Sequence, residues 1–171
     1  MGPGLADIHL LLLDVDGVLT DGGITYSDSG EQIKTFNSRD GLGLRFLMDS
    51  GINVGIITGR VSKALGYRCK NLGITLLFDG VKDKSAALEK IILETGIPAE
   101  NIAFVGDDLP DLPVMKKVGF SFCVPDAPEE VKQHSKRITV SKGGQGAVRE
   151  VCESILKAKG LWGQVMDQYL T

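Results

Sequence analysis

Thiols, net charge and long apolar runs are all in short supply in this 171-residue chain, and each shortage closes off a class of function. The three cysteines, Cys69, Cys123 and Cys152, are odd in number, scattered and free of CxxC spacing. Neither a disulfide framework nor a thiolate zinc site is therefore expected, and a reducing cytoplasm is the compartment that fits. The formal net charge is −3, so no overall basic field exists to hold nucleic acid or an acidic membrane surface. The apolar stretch 8–13 is far shorter than the roughly 20 residues that a membrane helix needs. Asp14 and Asp16 follow it where a signal peptide would carry small residues, so it reads as a buried strand. The two histidines, His9 and His134, lie far apart and outside the acidic motifs below, and are read as structural or solvated.

What is present is an ordinary globular composition, 43% hydrophobic and 24% charged, which suits one domain with a buried core and a small ligand. Short apolar runs ending in Asp, Thr or Gly alternate with longer segments of helical periodicity, the pattern of βαβ units on a parallel sheet. Strands are expected at 8–14, 53–58, 76–78, 102–106, 120–124 and 137–140, and helices at 41–50, 61–72, 84–95, 111–118 and 146–159. The fold class is a Rossmann-like three-layer α/β/α sandwich. The stretch 22–37 breaks the rhythm: Ile24, Thr25 and Tyr26, then Ile33, Thr35 and Phe36, flank Asp28-Ser29-Gly30, which predicts a projecting β-hairpin. Too few residues lie between Asp21 and Thr58 for a separate cap domain. The last residues, 160–171, carry Leu161, Trp162, Val165, Met166 and Tyr169 with no evident core partner, and are expected to form a flexible docking tail.

In open parallel sheets ligands sit beyond the carboxyl ends of the strands, and those ends carry Asp14-Val15-Asp16-Gly17, Thr58-Gly59-Arg60 and Gly106-Asp107-Asp108. Gathering carboxylates at one rim raises their pKa values at no benefit to the fold, so a cation is expected there. Hard oxygen donors suit Mg²⁺, with Asp14 and Asp107 as carboxylate ligands. Phosphoryl transfer needs an in-line nucleophile together with cations and hydroxyl donors for the transferring group, roles open to Thr58 and Lys84. Asp14 and Asp16, two apart on a strand, can divide the work of nucleophile and general acid–base, provided the turn at Gly17 re-aims Asp16.

The run Asp14 to Gly22, with Thr58-Gly59-Arg60, Asp83-Lys84 and Gly106-Asp107-Asp108, resembles in order and spacing the haloacid dehalogenase superfamily of phosphatases. More closely, Asn37-Ser38-Arg39-Asp40-Gly41, Arg60-Val61-Ser62, Arg68, Leu72-Gly73-Ile74, Gly106 to Asp111 and Gly143 to Glu150 are similar to the 3-deoxy-D-manno-octulosonate 8-phosphate phosphatase family, over nearly the whole chain. The resemblance implies Asp14 as nucleophile and Asp16 as acid–base, with Mg²⁺ held by Asp14, the backbone carbonyl of Asp16, and Asp107. Asp108 and Asp111 would stand behind that set. It further implies substrate contacts from Asp16, Asn37, Ser38, Arg39, Asp40, Gly41, Arg45, Arg60, Arg68 and Lys84, and a homotetramer joined through the hairpins. Guanidinium forks match the carboxylate of a 2-keto acid and phosphate oxygens. The pathway implied is lipopolysaccharide precursor synthesis. A nine-carbon keto-deoxy acid 9-phosphate is the rival substrate. Outside catalysis, a phospho-receiver switch or a silent scaffold domain is the other reading. Against a receiver, Asp14 and Asp16 close the first strand rather than a middle one, and the complete acid, threonine and lysine set argues against silence.

Overall fold

A computed structural model describes residues 4–170. Its frame is a six-stranded sheet built from β1 (Leu10–Leu13), β4 (Asn53–Ile57), β5 (Leu76–Phe78), β6 (Ile102–Gly106), β7 (Phe120–Cys123) and β8 (Arg137–Ile138). The spatial order is β5-β4-β1-β6-β7-β8, with every neighbouring pair parallel. The chain builds outward from β1 on one side and then returns to place β6 on the other, so the order reverses at β1. Its carboxyl end is where a crevice opens.

β1 reads Leu-Leu-Leu-Leu because both of its faces are covered. Leu11 and Leu13 join one apolar cluster with α1 (Ser38–Asp49), α2 (Lys63–Leu72) and α6 (Ala147–Ala158). Leu10 and Leu12 join the other, with α3 (Lys84–Thr95), α4 (Leu112–Met115) and α5 (Glu129–His134). Each fully buried leucine contributes about 1.5–3 kcal/mol. All six expected strands are present, with ladder ends trimmed by a residue or two. α1 starts at Ser38 rather than at 41, because Asn37 Oδ1 caps it by accepting from the Arg39 and Asp40 N–H groups. Of the expected helix 111–118 only the short α4 is α-helical, and a 3₁₀ turn at Leu109–Asp111 leads into it. α5 was not anticipated.

Between β1 and α1 the insert is a two-stranded antiparallel ribbon, β2 (Thr25–Tyr26) with β3 (Gln32–Ile33). No helix among the described residues is long and apolar enough to cross a membrane.

The tail departs from its sequence reading. Trp162–Leu170 forms a helix, α7, folded back on the body. Val165 is buried, and the Phe46 ring makes T-shaped contacts with Trp162 and Tyr169, at centroid separations of 6.2 Å and 5.8 Å. The spacing 162, 165, 166, 169 is helical, but its partner Phe46 lies more than a hundred residues away in sequence and gave no local signal. Covering this face contributes about 2 kcal/mol. Ending the chain after Lys159 is therefore expected to lower the melting temperature by about 4–8 °C, read by thermal denaturation. An unchanged melting temperature would make α7 a passive extension.

Candidate active site

The carboxyl end of β1 delivers Asp14, 8% exposed, into a tight turn. The Val15 carbonyl accepts from the N–H groups of Val18, Leu19 and Thr20, and Thr20 Oγ1 accepts from those of Gly17 and Gly22. Gly17 has φ of 88°, and a Cβ there would sit 2.0 Å from Asp107 Oδ2. Only glycine lets the β1 and β6 loops approach so closely.

Lys84 enters from the first turn of α3, which Asp83 caps by accepting from the Ser85 and Ala86 N–H groups. Its Nζ lies 2.9 Å from Asp14 Oδ1 and 2.6 Å from Asp111 Oδ1. The other Asp111 oxygen accepts from the N–H groups of Asp107 at 2.9 Å and Asp108 at 3.3 Å. Both oxygens of Asp111 are thus engaged in holding the β6 loop and Lys84. Burial lowers the Lys84 pKa, but Asp14 and Asp111 outweigh it and hold the ammonium above its ordinary value. Thr58, 1% exposed at the end of β4, turns Oγ1 toward the Arg60 N–H at 3.5 Å.

Carboxylate oxygens of Asp14, Asp107 and Asp111 all lie within 4.8 Å of one another. Burial first, then the charge of Asp111, raises the Asp14 pKa against the pull of Lys84. Asp107 is pushed up to about 8 by burial and by the charges of Asp14 and Asp111. Carboxylates gathered this closely repel one another, a cost that a divalent cation would remove, and the oxygens left over by Lys84 and the β6 loop, on Asp14 and Asp107, are the hard donors that Mg²⁺ takes. The residues fit that metal.

The linkage follows directly. The unfolded chain releases the Asp107 proton near pH 4 and the folded one near pH 8, so the folded state binds more protons between them, and this group's contribution to stability falls as pH rises through that window. Melting temperatures of the metal-free protein should show the loss between pH 5 and 8. Asp107→Asn should remove that component, and Mg²⁺ should raise the melting temperature more at pH 8 than at pH 5, by about 3 °C or more at pH 8. A Mg²⁺ effect equal at both pH values, or one retained in Asp107→Asn, would move the metal elsewhere.

Asp16 stands apart from this cluster. Its Oδ1 accepts from Lys34 Nζ, and Arg60 Nε lies 3.7 Å from Oδ2. A cleft of about 360 Å³ joins the two groups, lined by Asp14, Asp16, Thr58, Arg60, Lys84 and the acidic loop of Asp107, Asp108 and Asp111. Lys34 was missed by sequence reasoning, because a lysine in a hairpin reads as solvated and alternation alone would turn Ile33 inward in its place; what buries it is the ribbon lying over Asp16.

The remaining implied substrate contacts do not line that cleft. Asn37 caps α1, Ser38 and Arg39 are exposed, and Asp40, 1% exposed, accepts from the Arg149 N–H at 2.8 Å. Arg68 Nη2 donates to the Asn37 carbonyl at 3.0 Å and would touch any Cβ at Gly41, while Arg45 donates to the Asn71 carbonyl at 2.7 Å. Within one chain, Asp40, Gly41, Arg45 and Arg68 fasten α1 to α2 and α6.

A parallel sheet whose first strand ends in two aspartates, faced by a helix-borne lysine and a second acidic loop, defines a haloacid dehalogenase-like hydrolase, and a family model of that description matches residues 76–151. The chain belongs to the 3-deoxy-D-manno-octulosonate 8-phosphate phosphatase family of these hydrolases. It is 49% identical to the phosphatase of that name from Escherichia coli K12 over 162 residues, 95% of this chain and 86% of the relative. Its fold matches the enzyme of that name from Moraxella catarrhalis in complex with magnesium, phosphate and KDO, with TM-score 0.94, 43% identity, and coverage of 96% of this chain and 95% of that one. It also matches the cobalt-bound enzyme from Haemophilus influenzae with TM-score 0.89 and 44% identity, over 91% of both chains.

Proposed function

We propose that the chain is a Mg²⁺-dependent phosphatase that hydrolyses 3-deoxy-D-manno-octulosonate 8-phosphate to the free sugar acid and phosphate. The observation that carries this reading is Lys84 bridging Asp14 and Asp111 beside Asp107, at the strand ends where the order reverses. Asp14, Asp107 and the backbone carbonyl of Asp16 would hold Mg²⁺, which when bound neutralises charge on the phosphate oxygens. The chain's own groups do the rest. Asp14 attacks phosphorus in line with the leaving sugar oxygen, forming an aspartyl-phosphate as the ester P–O bond breaks. Asp16 gives its proton to the departing oxygen, then takes one from the water that attacks phosphorus and frees Asp14. Thr58 and Lys84 donate to the transferring oxygens, Asp108 and Asp111 support the loop, and Arg60 stands at the mouth for the substrate's anionic groups.

The proposal extends to assembly. Ile24 and Tyr26 are exposed on one face of the ribbon and Ile33 on the other, apolar side chains that suit packing with other copies around an axis as a homotetramer. Such packing would let a neighbour cover a capless site and bring Asn37 to Gly41, Arg45 and Arg68 to bear on substrate. Three buried free thiols suit a reducing cytoplasm, where lipopolysaccharide precursors are made. The test is phosphate release, with and without Mg²⁺, from the eight- and nine-carbon keto-deoxy acid phosphates, arabinose 5-phosphate and an aryl phosphate. Selective, Mg²⁺-dependent turnover of the eight-carbon ester is expected; preference for the nine-carbon ester would change the substrate, and no release from any would remove the activity.

A further inference from the structure

The ribbon buries one ammonium for which the steps above have no use. Between residues 32 and 36 inward and outward positions alternate: Ile33 and Thr35 are exposed, while the Lys34 side chain is only 4% exposed. Lys34 Nζ donates to Asp16 Oδ1. Among the described residues, the other cation on that carboxylate is Arg60, whose side chain is 46% exposed and whose Nε stands at 3.7 Å, outside hydrogen-bond range. Lys34 is thus the group that fixes where the Asp16 carboxylate points.

Nothing in the fold asks for this. A lysine on a two-stranded ribbon can reach water along its own stem, and burying its charge is costly unless it is well paired. The ribbon gains little core in exchange, since Ile24, Tyr26 and Ile33 remain exposed. Asp16, in contrast, needs an anchor. It lies past the end of β1, beside the Gly17 turn, with two side-chain torsions to settle, and proton transfer works only when the heavy atoms come within about 2.6–3.2 Å.

We propose that Lys34 is a positioning residue for the hydrolysis: by holding the Asp16 carboxylate it lets the ribbon aim the acid–base group at the leaving oxygen. The inference rests on the assignment of Asp16 under Proposed function. It also ties the ribbon's placement to catalysis, because a ribbon displaced from the sheet carries Lys34 away and leaves Asp16 unaimed.

The experiment compares kcat/KM for substituted phenyl phosphates, from p-nitrophenyl to p-methoxyphenyl, with Mg²⁺ present. The proteins are the parent, Lys34→Met, Lys34→Arg, Asp16→Asn and the Asp16→Asn/Lys34→Met double variant. kcat/KM reports steps up to departure of the phenol, and p-nitrophenolate leaves without a proton whereas p-methoxyphenolate needs one. Lys34→Met should lower kcat/KM about tenfold or more on the p-methoxyphenyl ester and less than about twofold on the p-nitrophenyl ester. Lys34→Arg should recover most of the loss, since a guanidinium can pair the same carboxylate. In the Asp16→Asn background Lys34→Met should add nothing. An equal fall on every ester, or additive losses in the double variant, overturns the proposal and leaves Lys34 as a fastener of the ribbon or a substrate contact. A leaving-group response unchanged in Asp16→Asn itself overturns the acid–base assignment, and the role of Lys34 with it.

Discussion

Asp14→Asn is expected to lower kcat by roughly 10⁴-fold or more while leaving the folded protein at least as stable as its parent. The substitution keeps the shape of the side chain and removes the nucleophilic oxygen's charge. It also takes one negative charge out of a cluster in which burial and Asp111 already hold the Asp14 pKa above its ordinary value. Lys84 retains Asp111 at 2.6 Å, so no buried cation is stranded. Loss of turnover without loss of melting temperature separates a chemical role from a structural one. Steady-state activity within about tenfold of the parent would exclude a covalent role for Asp14.

Lys84→Met should be the most damaging change at the opposite pole of the site, because it costs both stability and turnover. Its side chain is 7% exposed, and it is the cation that touches both Asp14 and Asp111. Removing one partner of a buried pair costs about 3–5 kcal/mol, and here two carboxylates are left behind. Turnover should fall about 10²–10³-fold, as for loss of a donor aimed at developing charge. Mg²⁺ should restore part of the stability and little of the rate, since a metal ion can supply charge but not the ammonium's placement. Lys84→Arg should rescue poorly: a planar guanidinium does not fit where a compact ammonium reaches two oxygens. Full stability in metal-free Lys84→Met, measured by denaturant unfolding, would mean that Asp14 and Asp111 are not charged together in the fold.

Much of this architecture is legible in the sequence because it is local. Leu10 to Leu13 is an unbroken apolar run since β1 is covered on both faces, and the two-residue step from Asp14 to Asp16 lies at its end, where the topology opens a crevice. Asp83 before Lys84 marks a helix start, which places the lysine at the same rim. Asp111, expected as a supporting residue, has both oxygens engaged by Lys84 and the β6 loop. What escaped was long-range. α7 depends on Phe46, and the burial of Lys34 depends on a ribbon folding over Asp16, neither visible within a local window. Asn37 to Gly41, Arg45 and Arg68 illustrate a different limit: their residue types suit an anionic sugar, yet within one chain Asp40, Arg45 and Arg68 are engaged at helix junctions.

The most direct measurement is the stereochemical course at phosphorus. A substrate ester carrying a phosphorothioate made chiral with oxygen isotopes would be hydrolysed in isotopically labelled water. Attack by Asp14 followed by attack of water is two in-line displacements, so the released thiophosphate should show net retention of configuration. Inversion would mean that water attacks phosphorus directly, and would contradict an aspartyl-phosphate at Asp14.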